Sequence, residues 1–241
     1  MNQYQKCTDI DMGFSQFQEW ADEQLGHFGG RSFHYSLEDY GGYCPPYLNP
    51  YVKLSKYRDG SGGGIDFVPF VIQQIKEEIY ELIKVVLNNG KLNSCLEIGL
   101  GDFGGTHILY SQFFDSVTTI EIEKYFVTKF LNSVDDEKYN LLLANSRFLC
   151  EPAESLDKSN LAHQYDFIFI DGNHTYENCK NDYEKYHDMV VPGGIVALHD
   201  SRNEDLGSAQ FINTLRNKVK MIDIWHPQGH SAGISYYISE G

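Results

Sequence analysis

An acid, a histidine and a second acid follow closely on an apolar run in the stretch "FIDGNHTYE", residues 169–177. The apolar run, residues 167–170, predicts a buried strand, and Asp171, His174 and Glu177 come directly after it. An imidazole three residues from a carboxylate at a strand tip could transfer protons near neutral pH. The alternative is structural, because the same residues could cap a helix and then face solvent.

Length and composition favour one globular domain in the cytoplasm. The chain has 241 residues, 41% of them hydrophobic, which is enough for a core. Its net charge of -15, from 19 basic and 34 acidic residues, makes nucleic acid and anionic membranes unfavourable partners. No apolar run approaches the ~20 residues of a spanning helix, and the N-terminus lacks a signal-peptide layout. Five scattered cysteines without a CxxC spacing favour reduced thiols.

The composition changes between an N-terminal segment, residues 1–65, and a regular domain, residues 66–241. The first segment predicts a short amphipathic helix and then a stretch rich in glycine and aromatic residues, 28–64. The aromatic side chains could form a lid or a wall for a substrate, or they could attach a long loop to the domain. Both possibilities stay open from the residues alone.

The second segment alternates helical and strand patterns. A long amphipathic helix is predicted from Asp66 to a stop at Gly90. Strands are then predicted at 94–98, 116–121, 139–144, 165–170 and 194–198, and helices at 105–114, 123–133, 151–159, 175–190 and 207–218. Two further C-terminal runs predict closing strands in a hairpin. This alternation indicates an α/β fold with a doubly wound, mostly parallel sheet.

A glycine-rich loop follows the first predicted strand. It contains Gly99, Gly101 and Gly104 and leads into a helix, so backbone N–H groups could face a bound ligand. Glu121 ends the second strand about 20 residues later, where an acid can accept hydrogen bonds from ribose hydroxyls. Glu97, two residues before the first glycine, suits a cationic amino group better than a pyrophosphate. The pattern predicts a cofactor that contains adenosine.

Three stretches together resemble the class I methyltransferases that use S-adenosylmethionine. They are "LEIGLGDFGG", "TTIEIE" and "VPGGIVALHD", and the resemblance covers roughly residues 66–238. It implies a Rossmann-like fold and a set of cofactor-binding positions. These are Glu97, Gly99 and Gly101 toward the methionine end, Glu121 at the ribose, Asn145 and Ser146 at the tip of the third strand near the adenine, and also Gly104 and Asp171.

The combination of "FIDGNHTYE" and "VALHDS" is similar to the O-methyltransferases of natural-product sugars, of the mycinamicin and macrocin type, and to methyltransferase family twenty-four. That resemblance implies a Mg²⁺ ion held by Asp171 and Asp200, with His174 as the general base. Ser201 is the candidate third ligand, since it follows the second acid. His199 is expected to be structural. The implied substrate is a small molecule, such as a sugar or another natural product.

Three alternatives stay open. The same methyl transfer could occur without a metal. The spacing of Tyr176 and Lys180 is that of the catalytic pair in NAD-dependent short-chain dehydrogenases, although the loop and its distance from the pair do not fit that family. A non-catalytic interaction protein with this fold is the third. The sequence also leaves open whether the chain forms a homo-oligomer.

Overall fold

The structure, a computed structural model, describes residues 74, 76–101, 104–111, 113–133, 144–153, 155–225 and 233–240. The predicted N-terminal segment, 1–65, and the predicted start of the long helix lie outside these residues. The strands are β1 Ser94–Ile98, β2 Ser116–Ile120, β3 Ser146–Leu149, β4 Tyr165–Ile170, β5 Val190–His199, β6 Ile222–Ile224 and β7 Ile234–Ile238. The helices are α1 Lys76–Asn89, α2 Gly105–Ser111, α3 Lys124–Ser133, α4 Tyr176–Tyr186 and α5 Gly207–Leu215.

The seven strands form one sheet in the order β3-β2-β1-β4-β5-β7-β6. The strands from β1 to β5 pair in parallel, whereas β7 is antiparallel to both β5 and β6. The predicted C-terminal hairpin is confirmed, with Ile222 opposite Tyr236. This is the fold of a class I methyltransferase, a doubly wound sheet closed by one antiparallel strand.

Both faces of the sheet are covered, which explains why the central strands are apolar throughout. All six residues of β4 are buried. Phe167 and Phe169 belong to one apolar cluster with residues of α1, α2 and α3, while Ile168 and Ile170 belong to the other with residues of α4 and α5. Successive side chains of a strand point to opposite faces, so one strand contributes to both cores.

The long first helix ends where the sequence predicts. Gly90 has a φ of 70°, and its N–H donates to the carbonyl oxygens of Val86 and Leu87. A glycine in this left-handed conformation commonly ends an α-helix. Among the described residues, no helix is long and apolar enough to cross a membrane.

Two predicted elements differ from the structure. The third strand, predicted at 139–144, begins only at Ser146, and residues 144–145 form a turn; residues 139–143 lie outside the described part. The described residues of the predicted helix 151–159 contain no α-helix. Instead, the N–H groups of Ser155 and Leu156 both donate to the carbonyl of Pro152, and the Asp157 side chain accepts from the N–H of Ser159. These local turns replace the helix.

Candidate active site

Side chains able to carry chemistry gather at one edge of the sheet, where the parallel strands end. Four residues follow directly on these strands: Gly99 after β1, Glu121 after β2, Asp171 after β4 and Asp200 after β5. β1 and β4 are neighbours in the sheet although β2 and β3 lie between them in the chain. Open α/β sheets bind ligands at such a switch in strand order.

Gly99 lies where the ends of β1 and β4 come closest. Its N–H donates to Ile120 O at 2.9 Å, and the N–H of Asp171 donates to Ile98 O at 2.9 Å. A Cβ atom at Gly99 would lie 2.1 Å from the carbonyl oxygen of Asp171, and the φ of Gly99 is 95°. Only glycine fits there, since both the space and the backbone conformation exclude a side chain.

The Glu121 carboxylate holds the glycine loop. Its Oε2 accepts from the N–H groups of Leu100 at 2.9 Å and Gly101 at 3.2 Å, and its Oε1 accepts from the N–H of Glu123 at 2.9 Å. Glu121 is buried. A carboxylate has about four acceptor positions, so it can also accept from a ribose. The ribose contact stays a prediction.

Gly104 is restricted by a neighbouring side chain, whereas Gly99 is restricted by a backbone carbonyl. A Cβ atom there would lie 2.2 Å from Cδ2 of Phe130 on α3, and its φ is 60°. The absent side chain therefore lets the loop pack against the aromatic ring. A contact between Gly104 and the cofactor stays a prediction.

Glu97 begins a buried chain of polar groups beneath the loop. Its Oε2 accepts from Thr119 Oγ1 at 2.5 Å, Thr119 Oγ1 is 2.7 Å from His107 Nδ1, and His107 Nε2 is 2.8 Å from Ser146 Oγ. Glu97 Oε1 has no hydrogen-bond partner. Sequence reasoning missed His107, because nothing in the helical stretch around it marks a buried polar contact. The predicted contact of Glu97 with the methionine end stays a prediction.

The prediction that Asn145 and Ser146 lie at the tip of the third strand was wrong. Ser146 pairs with Val117 at the start of β2, whereas Leu149 pairs with Ile120 at the carboxyl end. The three steps of β3 put Ser146 about 10 Å from the carboxyl edge of the sheet. The apolar run before residue 145 resembles a strand, but residues 144 and 145 form a turn and the paired strand follows them. The Ser146 hydroxyl instead supports the buried polar chain.

Two acids and two histidines form the centre of the site. His174 Nε2 lies 3.6 Å from Asp171 Oδ1 and 3.3 Å from Asp200 Oδ2. His199 Nδ1 lies 3.1 Å from Asp171 Oδ1 and 3.5 Å from Asp200 Oδ1. The His174 side chain is 49% exposed, whereas that of His199 is 8% exposed. The two rings thus bracket the carboxylates, one toward solvent and one toward the core.

The pKa values of His199, His174 and Asp171 are all shifted by their neighbours. Burial lowers the pKa of His199, but the negative charges of Asp171 and Asp200 outweigh it and raise that pKa to about 10. The neighbouring Asp171 carboxylate raises the pKa of His174, burial opposes it, and Asp200 raises it further. Burial raises the pKa of Asp171, but both histidines together hold it well below its usual range. In the protein alone, a pKa of about 10 keeps the His199 ring protonated beside the two carboxylates.

Three side chains of the site could hold a metal ion. One ligand atom each of Asp171, His174 and Asp200 can lie within 4.8 Å of one another. Mg²⁺ is commonly held by one or two carboxylates together with substrate oxygens and water. Ser201, the candidate third ligand, has a buried hydroxyl without a hydrogen-bond partner, and its N–H donates to Gly233 O at 3.2 Å. Its role as a ligand stays a prediction.

Asp200 adopts a backbone conformation that is uncommon for a residue with a side chain. Its φ is 55°, and it is the only residue other than glycine with a positive φ in the described part of the chain. Its carbonyl oxygen accepts from Ser208 Oγ at 3.3 Å, so the start of α5 supports it. Strained conformations of this kind cluster at functional sites. This one directs the acid back toward Asp171.

The stretch before α4 both caps that helix and positions His174. Thr175 is the N-cap of α4, with its side chain accepting from the N–H of Asn178 at 3.3 Å, and Glu177 is exposed in the first turn. His174 comes immediately before this cap, and its carbonyl accepts from the N–H of Ser208 at 3.1 Å. The capped helix and α5 therefore fix the histidine from both sides.

Gly207 allows this contact between α5 and the His174 stretch. A Cβ atom there would lie 2.0 Å from the backbone nitrogen of Tyr176. We expect Gly207→Ala to lower the free energy of unfolding by ~1–3 kcal/mol, the usual cost of overpacking, as measured by urea denaturation. Gln210→Ala, on the exposed face of the same helix, is the matched control and should change it far less. Equal midpoints for Gly207→Ala and the wild type would contradict the close packing.

The fold is that of the class I methyltransferases. Residues 108–201 match the family model described as a methyltransferase domain, so this part of the chain is similar to the methyltransferases. The resemblance to this class in the sequence is confirmed. No curated protein sequence matches the chain.

Solved structures with this fold act on different kinds of acceptor. The O-methyltransferase TomG from Streptomyces achromogenes, involved in tomaymycin synthesis and bound to S-adenosylmethionine, is 17% identical, with a TM-score of 0.53 over 69% of this chain and 80% of that one. The N-methyltransferase NodS from Bradyrhizobium japonicum WM9, with S-adenosylhomocysteine, is 13% identical, with a TM-score of 0.52 over 80% and 100%. An rRNA methylase from Streptococcus thermophilus is 12% identical, with a TM-score of 0.55 over 70% and 99%. At these identities the likeness establishes the fold alone and does not identify the methyl acceptor of this chain.

The Tyr176 and Lys180 spacing has a structural explanation in this class. The Tyr176 ring packs edge-on against Phe211 of α5, with the ring centroids 5.7 Å apart. The Tyr176 ring therefore contributes to the packing between α4 and α5.

Proposed function

We propose that this chain methylates a hydroxyl group of a small molecule, with His174 as the general base and a divalent cation held by Asp171 and Asp200. The observation that carries the proposal is the position of His174 Nε2, which lies 3.6 Å and 3.3 Å from the two carboxylates. The ring is half exposed, at the edge of the sheet that also carries the glycine loop. S-adenosylmethionine supplies the methyl group at that edge.

The chemistry of the cluster favours an oxygen acceptor. A hydroxyl holds its proton at neutral pH, so its methylation benefits from a base that removes the proton. A divalent cation bound by the carboxylates would lower the pKa of the acceptor hydroxyl and fix its direction. The neutral His174 ring can then accept the proton, while the loop and Glu121 position the cofactor.

The charge of the chain supports a small-molecule acceptor. The net charge of -15 opposes the approach of a polyanion such as RNA, in spite of the structural likeness to an rRNA methylase. Cys95, Cys150 and Cys179 are free thiols, which supports a cytoplasmic location.

Screening hydroxylated small molecules for release of S-adenosylhomocysteine, with and without Mg²⁺, tests the proposal directly. Release with amines alone would contradict it.

A metal-independent version of the reaction is the second candidate. It is favoured by His199, whose raised pKa keeps a cation beside both carboxylates in the protein alone. In that version Asp171 and Asp200 would bind the acceptor by hydrogen bonds. The response of the activity to chelation distinguishes the two versions.

Removal of the Glu121 carboxylate tests the cofactor site. Glu121→Ala is expected to weaken S-adenosylhomocysteine binding by ~1–3 kcal/mol, because the cofactor loses its ribose acceptor and the loop loses two hydrogen bonds. Isothermal titration calorimetry measures the change. Glu123→Ala, two residues away and exposed, is the matched control and should bind normally. Unchanged affinity in a folded Glu121→Ala variant would remove Glu121 from the ribose site.

A further inference from the structure

The Gln74 side chain lies in the cleft between the glycine loop and β4. It borders a cavity of about 20 Å³ whose other described lining residues are Gly99, Leu100, Gly101, Gly105, Thr106 and Asp171. Gln74 comes from the segment just before α1, 97 positions away from Asp171 in the chain. No pattern in the sequence marks it as part of the site.

The two polar atoms of the Gln74 amide differ in their hydrogen bonding. Its Nε2 donates to Asp171 Oδ2 at 2.5 Å. Its Oε1 has no hydrogen-bond partner, although the residue is only 2% exposed. A buried carbonyl without a donor is costly, so its retention here indicates a donor that arrives with a ligand. The bond to Asp171 fixes which way the amide faces, because Asp171 can only accept when it is ionised.

The volume and the charge of the cavity restrict which hydrogen-bond donor can bind there. A volume of about 20 Å³ holds one water molecule or a group of similar size, such as an ammonium. Its described lining contains one carboxylate, that of Asp171, and no lysine or arginine. A small cation with several N–H donors therefore fits both the space and the charge, whereas a carboxylate would be repelled by Asp171.

We propose that Gln74 is a cofactor-contacting residue, whose Oε1 accepts a hydrogen bond from the ammonium group of the methionine end of S-adenosylmethionine. This inference rests on the proposed function, in which the cofactor occupies the adjoining loop. It adds a residue from outside the glycine loop to the cofactor site. It also connects the cofactor's ammonium to Asp171 through a single side chain.

Two ligands that differ at the amino-acid end test the proposal. S-adenosylhomocysteine carries the ammonium, and 5′-methylthioadenosine lacks the whole aminocarboxyl group. For Gln74→Met, which keeps the length of the side chain but not its hydrogen bonds, we expect about tenfold or more weaker binding of S-adenosylhomocysteine and unchanged binding of 5′-methylthioadenosine. Calorimetry in chelator excludes an effect through a metal. Gln210→Met, exposed on α5, is the matched control and should bind both ligands as the wild type does.

The outcomes separate this inference from the proposed function. Equal weakening for both ligands would make Gln74 a packing residue, and no weakening for either would remove it from the site; both results overturn the inference and leave the proposed function standing. If the wild-type chain binds neither ligand, the cofactor site itself is wrong, and the proposed function fails together with the inference.

Discussion

Replacing His174 with alanine is expected to lower kcat by ~10²–10⁴-fold, the usual loss when a general base is removed. The ring is half exposed beside both carboxylates, so it can reach a proton on an acceptor bound at this edge. Cofactor binding should hold, because Glu121 and the glycine loop make their contacts elsewhere. Single-turnover rates at saturating cofactor, together with calorimetry using S-adenosylhomocysteine, measure the two quantities separately.

Two other histidines are the controls for this variant. His199→Ala should lose less activity, because His199 lies behind the carboxylates, 8% exposed, and cannot reach the acceptor. His163→Ala should retain full activity, since that histidine is exposed in the loop before β4. If the His199 variant is inactive while the His174 variant turns over normally, the roles of the two rings are reversed.

The pH profile provides an independent readout of the same base. Only a neutral imidazole can accept a proton, so activity should rise as the pH rises through the pKa of His174. The neighbouring Asp171 carboxylate raises that pKa, burial lowers it, and the charge of Asp200 raises it further. A cation beside the ring would lower it too. The rising limb should be absent from the residual activity of the His174→Ala variant.

Exhaustive chelation is expected to abolish turnover, and added Mg²⁺ should restore it. Asp171 and Asp200 follow neighbouring strands and offer ligand atoms within 4.8 Å of one another. Without a cation, the acceptor hydroxyl would lose both its orientation and the lowering of its pKa. Binding of S-adenosylhomocysteine should survive chelation, because the loop that holds the cofactor has no metal ligand of its own. Full turnover after chelation would establish the metal-independent alternative.

A single-charge change separates the metal from the general base. Asp200→Asn keeps the shape of the side chain but removes one charge. A lost contact to a charged group costs about 1.4 kcal/mol or more, so the Mg²⁺ concentration for half-maximal rate should rise at least tenfold. Asp205→Asn, in the exposed turn before α5, is the matched control and should not change it. An unchanged Mg²⁺ requirement in Asp200→Asn would exclude this carboxylate as a ligand.

Patterns that are local in the sequence predicted the fold well. The first and fourth strands begin and end at the predicted residues, because each is a short apolar run between turn-forming residues. The loop glycines were recognised from their spacing, and the structure adds that Gly99 is required by the neighbouring carbonyl of Asp171. The third strand was misplaced because an apolar run before residue 145 carries the same local signal as the strand that follows it.

The sequence by itself determined the class of fold, the loop, and the acids and histidines that end β4 and β5, since periodicity and strand ends depend on neighbours in the chain. Only the tertiary structure decided which of these groups touch. It brought His199 to within 3.1 Å of Asp171, bonded His107 to Thr119 beneath the loop, and placed Gln74 beside an acid 97 positions away. Such contacts depend on strand order and on which side chains are buried together, and both arise from packing between segments that are distant in the chain.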